Sequence, residues 1–269
     1  MQLSAIVPLE IKAFSGATIT RLESGITNGF IINRNKPEVT QRPTLNITES
    51  ATTARGRGIY YWDANLTTYI VNDDTIYQGT YSSSLVTTIT SNTKRVYFHQ
   101  LSTLLVLLDP QDNAAYTIST GDVVTTIAGS IPSTLVPGGA ILNGYFYVMD
   151  DDGDIWSSDL EAPGTFTAGN FVNAEREEDG GVYLGKHHDN LVAFNERTIE
   201  FFYDNSNETN SPLNRREDVA HNIGCANGFS VWEDGDITMF IGNDRNNGLG
   251  VYKLENFGYE KISNEGLDS

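Results

Sequence analysis

Gly58–Gly79 reads GIYYWDANLTTYIVNDDTIYQG, and this stretch decides the fold. Aromatic and β-branched residues, which suit a pleated strand, crowd both sides of Asn65. In TTYIVNDDTIYQ, Tyr69 and Val71 share one face while Ile70 and Asn72 share the other. The NDD turn then reverses the chain, because Asn and Asp tolerate positive φ. Strand, turn and aromatic strand recur at Arg95–Ser119, Gly138–Asp159, Gly180–Asp204 and Asn227–Asn256. With Asn72, Asp109, Asp150, Asn195 and Asn243 taken as matching turn residues, the spacings are 37, 41, 45 and 48. A drifting period of about forty residues built from hairpins is the pattern of propeller blades. One such unit cannot bury its own faces, so neighbouring copies must cover them.

The sequence therefore predicts an all-β chain: a β-propeller-like ring of about five recognisable antiparallel blades over residues 58–269, preceded by an extended N-terminal arm over residues 1–57. The arm is rich in Thr, Ser and Asn, alternates weakly, and is expected to form one or two short strands and to reach another part of an assembly. No segment carries a helical moment over eleven residues or more. Asn207–Asn222, NETNSPLNRREDVAHN, reads as a polar loop with at most one helical turn. Five repeats make an incomplete-looking ring, and the abrupt polar end EKISNEGLDS suggests a shortened version of a longer chain.

Thirty-five acidic against 17 basic residues give a net charge of −18. A nucleic-acid clamp needs clustered Lys and Arg, so that class is disfavoured. An acidic wall that lets DNA slide past remains compatible with this charge. The single cysteine, Cys225, excludes an intrachain disulfide framework and a Cys-rich zinc site. The longest apolar stretch, near Leu104–Leu108, is far short of a membrane span.

The sequence presents no catalytic constellation. RGRG at Arg55–Gly58 lacks the trailing Lys-Ser/Thr of a phosphate loop. His187 and His188, adjacent on a strand, are expected to point to opposite faces, which argues against a shared metal. Two acidic clusters stand out: Asp150, Asp151, Asp152 and Asp154, and Glu175, Glu177, Glu178 and Asp179. In the first, glycine comes too early for an EF-hand calcium loop. Both clusters are expected to face a lumen or solvent. No metal or cofactor is expected. Trp62, Trp156 and Trp232 would serve a carbohydrate-binding or glycan-cleaving propeller acting in receptor recognition, or simply pack between blades.

Two segments carry a family resemblance. The first joins Arg42-Pro43, Arg57-Gly58, Tyr60, Asn65, Tyr69, Val71, Tyr77 and Gly79. The second joins Ala174-Glu175, Asp179-Gly180, the apolar strand Leu191–Phe194 and Thr198-Ile199-Glu200-Phe201-Phe202. Over roughly residues 40 to 256 the chain resembles the packaged-DNA stabilisation, or tail accessory, proteins of short-tailed bacteriophages. The resemblance implies a structural, non-catalytic virion protein of the tail: a ring, of six copies, in the head-to-tail connector or nozzle. Implied partners are the portal–adaptor proteins and the tail needle, fibre or tailspike proteins. Packaged DNA would pass through without sequence-specific binding, and no membrane is involved.

Overall fold

The computed structural model describes residues 29–31, 39–41, 55–79, 85–90, 93–101, 103–174, 176–207 and 210–264. The chain divides into two compact units, Met1–Ser50 and Ala51–Ser269. In the first, β1 (Gly29–Ile31) pairs antiparallel with β2 (Val39–Gln41), Phe30 opposite Thr40. The Arg42-Pro43 pair and the rest of the arm lie outside the described residues.

The second unit contains five antiparallel sheets in chain order. The first holds β3 (Gly56–Trp62), β4 (Thr67–Asn72), β5 (Thr75–Gln78) and β6 (Leu85–Thr88). The second holds β7 (Tyr97–Leu101), β8 (Leu104–Asp109), β9 (Ala114–Ser119) and β10 (Val124–Thr126). The third holds β11 (Ala140–Leu142), β12 (Tyr145–Met149), β13 (Asp154–Ser157) and β14 (Phe171–Asn173). The fourth holds β15 (Gly181–His187), β16 (Asn190–Asn195), β17 (Ile199–Asp204) and β18 (Leu213–His221). The fifth holds β19 (Ile223–Cys225), β20 (Trp232–Asp234), β21 (Ile237–Asp244), β22 (Gly248–Glu255) and β23 (Gly258–Lys261). Each of the first four sheets is a meander of sequential strands; in the fifth, β19 and β20 both pair with β21. These are the blades that the repeat predicts.

The core lies between blades. Each interior blade turns one face upstream, to the preceding blade, and one downstream. Tyr69, Val71 and Ile76 of the first blade meet Leu105, Leu107 and Ile118 of the second. Val106 and Leu108 meet Phe146 and Val148 of the third. Tyr147 and Met149 then meet Leu191 and Ala193 of the fourth. Val192, Phe194 and Phe201 meet Phe240, Tyr252 and Leu254 of the fifth. Both faces of an interior blade are therefore covered, which explains why its second strand is apolar throughout: LLVLLD, YFYVM and NLVAFN are almost entirely buried. In β4 and β21, on the terminal blades, burial alternates instead.

Three sequence readings need correction. Residues 213–221 form the nine-residue strand β18 rather than a loop. It is the outermost strand of its blade, so NRREDVAH faces partly to water and carries little apolar alternation. The fifth turn residue is Asp244, at 3% exposure, and not the exposed Asn243. Finally, His187 ends β15 while His188 takes φ 53° in the turn. Strand alternation stops there, and the two rings meet at 4.4 Å instead of pointing apart.

Candidate functional site

The two acidic clusters, 25 residues apart in sequence, meet at the junction of the third and fourth blades. The Gly181 N–H donates to the Asp151 carbonyl at 3.0 Å, and the Ala174 N–H to the Gly153 carbonyl at 2.9 Å. The hairpin turn of one blade thus lies against the segment leading into the next. The fit is tight: a Cβ on Gly181 would sit 2.4 Å from the Asp150 carbonyl oxygen.

Within this rim the carboxylates divide by role. Asp150 is buried; it accepts the Asp154 N–H at 2.8 Å and the Trp156 indole N–H at 2.9 Å. Burial raises its pKa, and the two donated hydrogen bonds oppose that rise. Asp179 is also buried; it accepts the Arg197 N–H at 2.8 Å and the Thr198 hydroxyl at 3.2 Å. These two therefore depart from the expectation of lumen- or solvent-facing groups, because each satisfies orphan donors of a tight turn. Asp154 is half-buried and accepts from the Asn173 amide at 3.0 Å. Asp151 accepts from the Thr134 hydroxyl, and Asp152 is exposed. Glu177 pairs with Arg245 at 2.9 Å, while the exposed Glu178 offers its carbonyl to Arg197. Glu175 lies outside the described residues.

The reading of acidic clusters passes over the centre beneath this rim. Glu200 is fully buried; it accepts the Arg176 N–H at 2.8 Å and lies 2.7 Å from Arg215 Nε in an ion pair. Burial raises its pKa, with Arg176 and Arg215 opposing. Asn195 donates to the Ala174 carbonyl at 2.8 Å and to the Thr198 hydroxyl at 3.1 Å. The resemblance marks Asp179, Thr198 and Glu200; Thr198 bonds Asp179 and Glu200 accepts from Arg176, so the three tie the segment entering the fourth blade to that blade's β17 end. The other marked segment joins two blades: Arg57 reaches Asp109 of the second blade at 2.5 Å.

The turn residues Asn72, Asp109, Asp150, Asn195 and Asp244 are all buried. The repeat thus conveys a buried polar cap at each second turn, a structural role rather than a reactive one. Among the described residues, no group of three His, Cys, Asp or Glu side chains is placed to hold a metal ion. Trp62 is fully buried between blades, and Trp156 stacks on Phe171 at 4.7 Å; Trp232 is about half exposed. Cys225 is buried, and burial pushes its thiol up to about 11. No helix among the described residues is long and apolar enough to cross a membrane.

No curated protein matches the chain. Among solved structures, the WD40 domain of Neurospora crassa Pan2 is similar at a TM-score of 0.50 and 10% identity, over 77% of this chain and 65% of that one. BamB from Moraxella catarrhalis gives 0.49 and 11%, over 80% and 70%. The computationally designed Ika8 protein gives 0.47 and 11%, over 80% and 63%. The chain thus spans about two thirds of the length of these structures, and at 10% identity the likeness to the Pan2 domain shows fold alone. The profile of the Phage_stabilise family, described as bacteriophage P22 Gp10, beta-propeller, matches residues 23–269, a span that contains all five blades. The chain belongs to this family of phage-stabilising β-propellers, and its role is that of a phage structural protein.

Proposed function

We propose that the chain is a subunit of the phage tail nozzle or head-to-tail connector, a ring that extends the portal–adaptor channel and retains packaged DNA until ejection. The family match across all five blades carries this reading. The physical character of the molecule supports it. Blades braced by buried polar contacts make a stiff scaffold, as a channel under load requires. A net charge of −18 repels phosphates, so DNA could move past without being gripped. Portal–adaptor proteins above, and needle, fibre or tailspike proteins below, are the partners in this reading, and the location is the virion tail.

Electron microscopy of the purified chain mixed with portal and tail components tests it. A ring seated between portal and tail tip is expected. A chain that stays apart from both components would sink the connector role.

A further inference from the structure

Trp156 stands on the upstream face of the third blade, across the ladder from Val148 and Phe171. Two contacts fix its indole. The N–H donates to Asp150 at 2.9 Å, and Phe171 stacks on the ring at 4.7 Å and 27°. The half-buried ring lines a cleft of about 420 Å³. That volume falls within the roughly 300–1,000 Å³ of small-ligand sites. The other walls are residues 130–134, which lead into the blade, the acidic turn, and Ala168-Gly169 before β14. Ala168 and Gly169 are too small to fill the space; a Cβ on Gly169 would meet no atom within 4 Å. Every lining residue belongs to the described run 103–174.

We propose that this cleft binds one ring of a neutral saccharide. A sugar ring has an apolar C–H face and a rim of hydroxyls, so its site needs a fixed aromatic plane beside a few hydrogen-bonding groups. Trp156 supplies the plane, and with its N–H already bonded to Asp150 it offers apolar ring surface. The hydroxyls of Ser130 and Ser133 and the exposed carboxylate of Asp152 supply the polar groups. Asp150 and Asp151 are engaged inside the protein, by Trp156 and Thr134, which makes Asp152 the acceptor for sugar hydroxyls. Hydrogen bonds to a charged acceptor are the strong ones. The charge of the cleft sets its selectivity. Asp150 and Asp152 line it, and no Lys, Arg or His is among its described lining residues, so phosphates, nucleic acid and acidic sugars are repelled. A quaternary ammonium is held by a cage of aromatic rings, and Trp156 is the one aromatic among the described lining residues. The proposal concerns the third blade and does not depend on the connector reading.

Saturation-transfer NMR on the whole chain is the first test. The probes are neutral oligosaccharides of glucose, galactose, mannose and N-acetylglucosamine at millimolar concentration, beside sialylated and uronic-acid oligosaccharides and choline. At least one neutral sugar is expected to bind, in preference to the acidic sugars and choline. Calorimetric titration with that sugar should show affinity about tenfold weaker or worse in Asp152→Ala, the loss of one hydrogen bond to a charged group. Binding should be abolished in Ala168→Leu, which fills the cleft without adding a polar group or a ring. Trp232→Ala, at the half-exposed tryptophan of the fifth blade, should bind like wild type. Positions 152 and 168 are exposed, so both cleft variants are expected to fold, which circular dichroism checks. Ser133→Ala, also at an exposed position and expected to weaken binding several-fold, replaces either one that does not fold. No binding of any neutral sugar in the panel would overturn the proposal. Undiminished binding in both cleft variants, or loss in Trp232→Ala alone, would put the site elsewhere and overturn it as well. Preference for choline or for the acidic sugars would overturn the ligand class.

Discussion

The Arg57 guanidinium lies 2.5 Å from the Asp109 carboxylate, with both side chains fully buried between the first and second blades. Arg57 also donates to the carbonyls of Lys94 and Asp73, each at 2.9 Å. One guanidinium therefore ties together a strand start, a hairpin turn and the segment that enters the next blade. Taking away one member of a buried pair strands the other's charge, which costs about 3–5 kcal/mol. Asp109→Ala is expected to lose stability on that scale in urea unfolding, and Arg57→Met with Asp109→Leu to lose less than Asp109→Ala alone. A loss below about 1 kcal/mol for Asp109→Ala would show that the pair is not what joins these blades.

Gly224 is packed against backbone. A Cβ there would sit 1.7 Å from the Glu196 carbonyl oxygen and 2.8 Å from the Arg197 nitrogen. Neither atom can swing away as a side-chain end could. Gly224→Ala should cost at least about 1–3 kcal/mol by forcing the fourth and fifth blades apart. Gly129→Ala is the comparison, since no atom lies within 4 Å of a Cβ at that position, though its φ of 99° strains alanine. Equal melting temperatures for the wild type and Gly224→Ala would refute the close packing.

Much of Glu233 is exposed, yet its carboxylate is tucked over Gly185, where it accepts the Lys186 N–H at 3.2 Å. Burial raises its pKa from 4.5 to about 7. Between those values the folded chain holds a proton that the unfolded chain has released, so this group's stabilisation falls as pH rises from about 4.5 to about 7. Stability curves of wild type and Glu233→Gln should diverge across that window and run parallel above it. Parallel curves throughout would mean that the carboxylate is in free contact with water.

His187 acts in the opposite sense. It is fully buried, neither ring nitrogen has a hydrogen-bond partner, and His188, Phe257 and Asp236 surround it. Burial chiefly, with His188, lowers its pKa below 6.5, and Asp236 opposes. Its contribution is complete above pH 6.5 and is lost as pH falls below that value, because the unfolded chain protonates first. His187→Phe removes no hydrogen bond and keeps the ring contacts. Thermal melts should show a smaller acid-side loss for the variant than for wild type as pH falls below 6.5. An identical slope would exclude His187 as an acid-sensitive point of this junction.

In the proposed tail assembly, the exposed Asp152 and Glu178 are the rim carboxylates to neutralise, since Asp150 and Asp179 hold turns. If the rim faces the DNA path, Asp152→Asn with Glu178→Gln should slow ejection, most clearly at low salt. An unchanged ejection rate in tails of normal composition would remove the rim from the channel wall.

The sequence by itself determined the blades. Turn residues recurring every forty-odd positions, with apolar strands before them, admit few other architectures, because each hairpin must hide its faces against a neighbour. Local chemistry also sets the turns: Asp73 takes φ 44° and Gly153 φ 89°, where the tolerance of Asn, Asp and Gly for positive φ predicts a reversal. What lies between blades was decided by tertiary structure. Asp150 and Asp152 are two residues apart in one acidic run, yet one caps a buried turn and the other faces water. Composition cannot separate them, since the difference comes from which blade packs over each. The same holds for Glu200, whose partners Arg176 and Arg215 stand 24 and 15 positions away and meet it only when three segments converge. β18 was illegible for a related reason: an outer strand is held by its ladder to β17, and backbone hydrogen bonds leave no mark on side-chain pattern.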